Sequence, residues 1–275
     1  MPTTQVSVAP ATEKFAQLHD VKARYLEAGE GYPTILIHGV GFTSGAEGWL
    51  PAIRAGFADK LHVVALDNIG WGKGDRPTFE YSLAYFADFL RELQDVLGFS
   101  KTNIIGHSLG GWISAIFAYE SPERVNKLVL DSAAGLNATP PATVSQFEPP
   151  TEEQVREQTK SSFRDPKDQE EQTAFRWENV NQPDAAEAYR QITKHLSDTT
   201  WRSRYHLGRR LSKISVPTLV NWGGIGNPLF PPASGEEMAA AIPGAKLNII
   251  EGCGHFVPME KPKEWAQVVS EFLLS

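Results

Sequence analysis

The chain of 275 residues has one cysteine, Cys253, no excess of positive charge and no long apolar run. Each shortage excludes a class of protein. One thiol cannot close an internal disulfide or build a Cys-rich zinc site, and it suits a reducing cytoplasm. Lys and Arg number 26 against 33 Asp and Glu, a net charge of −7. Without a basic block there is no electrostatic footprint for nucleic acid or an anionic membrane. No apolar stretch approaches the ~20 residues of a membrane-spanning helix. The start, Met1–Lys14, is rich in Thr, Ala and Pro and lacks the basic and apolar regions of a signal peptide. There is no HExxH-like metal spacing and no phosphate-binding GxGxxG loop, so chemistry without metal or cofactor is expected. The expectation is a cytoplasmic protein acting on a small-molecule substrate, with no nucleic-acid or membrane partner. Its oligomeric state is left open, a homo-oligomer included.

What is present is the composition of an ordinary globular chain, 41% hydrophobic and 21% charged. The length suits one large α/β domain with an insertion. Short β-branched runs read as strands at Lys22–Leu26, Thr34–His38, Val63–Asp67, Asn103–Gly106 and Lys127–Asp131. Between them Ala52–Ala58, Leu83–Leu97 and Leu109–Tyr119 read as helices. Such alternation predicts a largely parallel sheet covered on both faces, entered through an antiparallel hairpin that turns at His19-Asp20. After Ala134 the character changes to a Pro/Thr-rich stretch, Ala138–Pro150, then charged, helix-prone sequence. Strand character returns at Pro217–Trp222 and Leu247–Ile250, and Trp265–Leu274 closes the chain as an amphipathic helix. A helical block between two strands of one sheet predicts a cap over 137–210, on a core formed by 1–136 and 211–275.

The strongest chemical signal is Gly106-His107-Ser108-Leu109-Gly110-Gly111, which follows a strand and opens a helix. A G-x-S-x-G motif in that context exposes its serine on a tight turn, and glycines allow the backbone to approach closely. The helix N-terminus favours negative charge developing near Ser108. Upstream, His38-Gly39-Val40-Gly41 ends another strand. Its Val40 or Gly41 N–H, with that of Leu109, can form an oxyanion hole. A third Gly-rich turn, Asp67–Asp75, reads as structural. Of the seven histidines, only His255 follows the last strand, in a glycine-flanked loop able to return an imidazole to Ser108. His38 and His107 read as structural hydrogen-bonding residues.

Together these elements resemble the α/β-hydrolase superfamily from about Lys22 to Leu274, in the chain order nucleophile, acid, histidine. The resemblance implies an eight-stranded, mostly parallel sheet with an inserted helical cap. Within the superfamily the chain most resembles the meta-cleavage-product hydrolases, which split C–C bonds in vinylogous dioxo acids. The stretches Gly45–Trp49, Gly70–Asp75 and Phe175-Arg176-Trp177-Glu178 carry this likeness. The last implies that Arg176 binds a substrate carboxylate, for which a guanidinium offers a bidentate fork. Phe42, Trp112 and Phe256 are candidate apolar walls. Two positions depart from that family: His107 and Leu50 stand where it usually has Asn.

The acid departs further. The family's Asp follows the strand that here ends at Trp222, but the chain then reads Gly223-Gly224-Ile225-Gly226-Asn227-Pro228, and no Asp occurs after Asp198. Asn227 thus occupies the acid position, and an amide cannot stabilise an imidazolium as a carboxylate does. Asp131, ending the strand after the nucleophile helix, is the expected substitute, placed as in haloalkane dehalogenases and cofactor-free ring-cleaving dioxygenases. The leading reading is a serine hydrolase cleaving a C–C or ester bond of a small, partly apolar carboxylate-bearing substrate. The alternatives are a carboxylesterase or lactonase, a cofactor-independent oxygenase with a His255–Asp131 dyad, and a non-catalytic binding protein on this scaffold.

Overall fold

The short aliphatic runs of the sequence pair into one sheet in the computed structural model, which describes residues 11–78, 80–137 and 147–275. Its strands are β1 (Thr12–Leu18), β2 (Val21–Ala28), β3 (Tyr32–Ile37), β4 (Leu61–Leu66), β5 (Thr102–His107), β6 (Val125–Asp131), β7 (Thr218–Gly223) and β8 (Lys246–Ile250). Their order is β1-β2-β4-β3-β5-β6-β7-β8. β1 and β2 form the expected hairpin and join β4 antiparallel, while every pairing from β4 to β8 is parallel. The innermost strand β5 is buried along its whole length, as a parallel strand covered on both faces must be.

The helices are α1 (Leu50–Ala52), α2 (Leu83–Val96), α3 (Leu109–Glu120), α4 (Glu152–Ser162), α5 (Pro166–Val180), α6 (Ala185–Ser197), α7 (Thr199–Tyr205), α8 (Pro232–Ala241), α9 (Val257–Glu260) and α10 (Pro262–Leu274). In α2 the buried residues Leu83, Phe86, Ala87, Leu90 and Leu93 recur at helical spacing, and Ser82 caps its start by accepting the Tyr85 N–H. Helix α3 instead buries Leu109 through Ala118 without interruption, because it lies between the sheet and the helices around it. The helix expected at Ala52–Ala58 begins earlier and is not regular. Pro51 sits in the first turn of α1, where its missing N–H costs nothing. The chain then widens into a π-type turn over Ile53–Phe57, with Gly56 at φ 100°.

All four helices α4–α7 lie in the excursion between β6 and β7. A capping box opens α4, with Thr151 and Gln154 satisfying each other's backbone N–H groups. Asp165 caps α5, and Pro166 follows in its first turn. Residues 138–146 of the Pro/Thr-rich stretch, and residues 1–10, lie outside the described part of the chain. Among the described residues no helix is long and apolar enough to cross a membrane.

Glycines set how closely α3 approaches the strands. A Cβ on Gly106 would stand 2.1 Å from the Gly110 carbonyl oxygen, and one on Gly110 would stand 2.1 Å from that of Ile37. Both obstacles are backbone and cannot swing aside. Gly110→Ala is therefore expected to destabilise the fold by about 3 kcal/mol, at the upper end of overpacking costs. In thermal unfolding that would lower Tm by roughly 6–12 °C. An unchanged Tm would show that α3 can slide off β3.

Candidate active site

Ser108 sits between the last residue of β5 and the first of α3, with φ 55° and ψ −114°. A non-glycine residue in this region costs of order 1–3 kcal/mol and persists only when its surroundings over-determine it. The surroundings here are backbone bonds: the Ser108 N–H donates to the Asp131 carbonyl, and the Ser108 carbonyl accepts from Trp112 and Ala134. Over the serine runs the turn after β3. A methyl group on Gly39 would lie 3.1 Å from Ser108 Cβ and 3.6 Å from its Oγ. That turn is held from behind. Asn68 donates its backbone N–H to His38 Nε2, Ser44 N–H and Trp71 Nε1–H both donate to the Gly41 carbonyl, and His38 Nδ1 lies 2.8 Å from the Gly39 carbonyl. His38 is thus a structural residue, as expected. Among the described backbone bonds neither the Val40 nor the Leu109 N–H donates to a carbonyl.

The Asp67–Asp75 turn is built around a carboxylate. Asp67 accepts the N–H groups of Ala46 and Lys73 and pairs with the buried Arg24, which also pairs with Glu47. A Cβ on Gly72 would fall 1.9 Å from Asp67 Oδ2, so the turn closes on its acid only with glycine there.

His255 returns over the sheet from the loop after β8. Its ring stacks on Phe230 with centroids 4.0 Å apart and lies 4.7 Å from the ring of His107, the neighbour of Ser108. Phe256 packs at 5.2 Å from the same ring and at 5.8 Å from His107. Glu260 shapes this loop: its carboxylate accepts the N–H groups of Gly254 and Phe256 on either side of the histidine, and Arg164 from the helical excursion pairs with it at 2.5 Å. Sequence reasoning missed Glu260. The signal available was an acid five residues after His255, at the foot of the closing helix. Burial, with His107 alongside, holds His255 well below the usual imidazole range. It is therefore neutral at pH 7.

The acid expected on His255 is not there. Asp131 ends β6 in register with His107 on β5 and Asn221 on β7. Its Oδ2 lies 3.2 Å from His107 Nδ1, while Oδ1 accepts Asn221 Nδ2–H at 2.6 Å and Trp265 Nε1–H at 3.1 Å. The cross-strand neighbours are closer than any loop residue and take both oxygens. His255 Nδ1 is left buried without a partner. Asn227 does not take Asp131's expected place. Its Oδ1 accepts the N–H groups of Leu229 and Phe230, closing a turn that brings the Phe230 ring, not a polar group, against His255.

Arg176 lies on the buried face of α5 between two residues that touch the loop after the Gly39–Gly41 turn. Gln172 donates to the Glu47 carbonyl and Asn179 to that of Thr43. The guanidinium lies over the Phe163 ring and 3.4 Å from Thr159 Oγ1, and among the described ion pairs it has no carboxylate partner. Glu178 pairs instead with Lys73. Burial pushes the Arg176 pKa down to about 10, so it remains a cation. Phe42 meets Phe147 and Tyr189 with centroids 4.7 and 5.1 Å away, an apolar patch between the turn and the helical excursion. Trp112 is no pocket wall of this kind. It is 2% exposed, donates to the Tyr205 carbonyl and lies beneath Arg202, tying the excursion to α3. Two charged clefts of about 550 and 560 Å³ lie elsewhere, neither lined by Ser108 or His255.

The family model of the alpha/beta hydrolase fold matches residues 32–262. The chain belongs to the alpha/beta hydrolase family. It is 30% identical to the 2-hydroxy-6-oxononadienedioate/2-hydroxy-6-oxononatrienedioate hydrolase of Paraburkholderia xenovorans, over 96% of either chain. Among solved structures it is similar to a meta-cleavage product hydrolase from Pseudomonas fluorescens, with TM-score 0.78 and 27% identity over 95% of this chain and 97% of that one. It is also similar to a bacterial membrane phospholipase A, with TM-score 0.79 and 28% identity over 97% of this chain and 86% of that one. The resemblance to C–C hydrolases read from the sequence is borne out, and the protein is a hydrolase of this family.

The depressed His255 gives a stability signature. The unfolded chain binds a proton near pH 6.5 and the folded one does not, so stability from this group is complete above pH 6.5 and falls as the pH drops below it. Between pH 6 and 5 the unfolding free energy of the wild type should fall more steeply than that of His255→Phe, by up to about 1.4 kcal/mol per pH unit. Parallel curves from denaturant titrations would show that His255 is protonated in the folded protein.

Proposed function

We propose that this hydrolase uses Ser108 as nucleophile and His255 as general base to cleave a C–C or ester bond. The substrate would be a small, partly apolar molecule bearing a carboxylate. The single observation that carries the reading is the strained Ser108 elbow under the Gly39–Gly41 turn, with the His255 ring packed against that of His107, the serine's neighbour. In the proposed step His255 Nε2 takes the Ser108 proton as Oγ bonds to the substrate carbonyl. The N–H groups of Leu109 and of Val40 or Gly41 would receive the oxyanion. Residues 137–210 would serve as a cap on the core of 1–136 and 211–275, and Phe42 and Phe256 would offer the substrate apolar contacts. A buried guanidinium without a carboxylate partner supports a negatively charged substrate group at Arg176, since an isolated buried cation is costly unless something pairs with it.

The relatives named above include a dienedioate hydrolase and a phospholipase A on one scaffold. Nothing favours the oxygenase reading, because the carboxylate it needs on His255 bonds to His107. A purely structural scaffold would have little reason to retain the strain at Ser108.

The test is a panel of p-nitrophenyl esters, a lactone and a 2-hydroxy-6-oxohexa-2,4-dienoate, each with wild type and variants. Ser108→Ala and His255→Ala should each lower kcat by roughly 10³ or more, since the two act as a unit. Ser108→Ala retaining activity within about tenfold of wild type would reject nucleophilic catalysis.

Arg176→Ala should remove a charge-assisted bond worth about 1.5–3 kcal/mol. KM for the dienoate should rise roughly ten- to hundredfold, while a neutral ester of the same acid is nearly unaffected. Equal losses on both substrates would leave Arg176 as a packing residue over Phe163.

A further inference from the structure

Two nitrogens of the site are buried without a partner, Nε2 of His107 and Nδ1 of His255. They belong to neighbouring rings whose centroids are 4.7 Å apart at an inclination of 45°. A buried polar atom left unpaired costs about 1–3 kcal/mol, so two on adjacent rings call for a common explanation. The other nitrogen of His107 is engaged, 3.2 Å from Asp131 Oδ2.

We propose that His107 is a positioning residue that carries the influence of Asp131 to His255, so that Asp131, His107, His255 and Ser108 act as one hydrogen-bonded chain. The proposal rests on the reading of Ser108 as nucleophile and His255 as base. A carboxylate only accepts, so Nδ1 of His107 carries the proton and Nε2 presents a bare lone pair. The two buried nitrogens are not bonded to each other in the structure; a turn of either ring that brings them together lets this lone pair accept Nδ1–H of His255, which leaves Nε2 of His255 bare, the tautomer a base toward Ser108 requires. Asn221 and Trp265 both donate to Asp131 Oδ1 and so keep Oδ2 for His107.

In the reaction the Ser108 hydroxyl proton passes to His255 Nε2 while Oγ bonds to the carbonyl carbon and the carbonyl π pair moves onto oxygen. The imidazolium formed donates Nδ1–H to His107 Nε2. His107 keeps its own proton on Nδ1, with its dipole oriented by Asp131. On collapse the His255 proton goes to the leaving group as the scissile bond breaks. The carboxylate thus acts across one ring instead of by direct contact, which accounts for a site with no acid on His255.

The variants separate this role from packing. In Asp131→Asn the amide oxygen is claimed by the two donors Asn221 and Trp265, so the amide N–H₂ faces His107. That inverts both imidazole tautomers and turns Nε2 of His255 into a donor. In His107→Phe the ring remains but the link is gone. In His107→Gln an amide donates to Asp131 and accepts from His255, restoring the link without the ring.

The experiment measures the rate at which a fluorophosphonate labels Ser108, with kcat and KM for a p-nitrophenyl ester and the imidazole ¹⁵N spectrum of each folded variant. Asp131→Asn and His107→Phe should label roughly 10²-fold or more slowly, with the loss in kcat and KM little changed. His107→Gln should recover about tenfold or more over His107→Phe. The spectrum should show Nδ1–H on His107 in the wild type and Nε2–H in Asp131→Asn. His107→Phe within about threefold of wild type, or faster than His107→Gln, overturns the proposal. So does a wild-type spectrum with Nε2–H on His107. Labelling and turnover that persist in Ser108→Ala refute the serine reading instead, whatever His107 does. If Asp131→Asn or His107→Phe fails to fold, His107→Gln and the wild-type spectrum decide.

Discussion

The carboxylate of Asp131 is the point on which strands, closing helix and site depend together. It is fully buried and bonds to His107 of β5, Asn221 of β7 and Trp265 of α10, while its own strand lies between the first two. Such a buried charge is tolerated only when donors satisfy it, and removing one partner of a buried charged pair typically costs about 3–5 kcal/mol. The same bonds fix the His107 imidazole next to Ser108. Its backbone takes part as well, because the Asp131 carbonyl accepts the Ser108 N–H and so helps to hold the strained elbow.

A second buried charge does the same for the opposite wall. Asp67, paired with Arg24, accepts the N–H of Ala46 and so anchors the chain that follows the Gly39–Gly41 turn. The helical excursion then engages both walls. Gln172 and Asn179 bond to the loop beyond that turn, and Arg164 bonds to the carboxylate that braces the loop of His255. The chain around Ser108 and His255 is therefore braced by three carboxylates, Asp131, Asp67 and Glu260. Each turns backbone or imidazole N–H groups into fixed positions, the condition for electrostatic preorganisation.

Relatives of similar overall likeness carry names as different as a dienedioate hydrolase and a phospholipase. What they share with this chain is an overall fold, and a fold does not fix a substrate. In the proposed reading that choice falls to the excursion between β6 and β7, where Arg176, Phe147 and Tyr189 lie.

Local sequence was enough to read the sheet, the elbow and the two chemical groups at its ends. Strand-forming runs recur with helical periodicity between them, and the glycines at 106 and 110 occur where backbone meets backbone. His255 was legible because it alone follows the last strand. The partners of buried charge were not legible, since they are set by register and by which loop turns inward. Register placed Asp131 between His107 and Asn221, so an acid that chain order pointed toward His255 was taken by its sheet neighbours. Asn227 closes its own turn, and Phe230 lies against His255 where a carboxylate was sought. Short-range spacing decides which elements form, and only the packed sheet decides which side chains are close enough to share a proton.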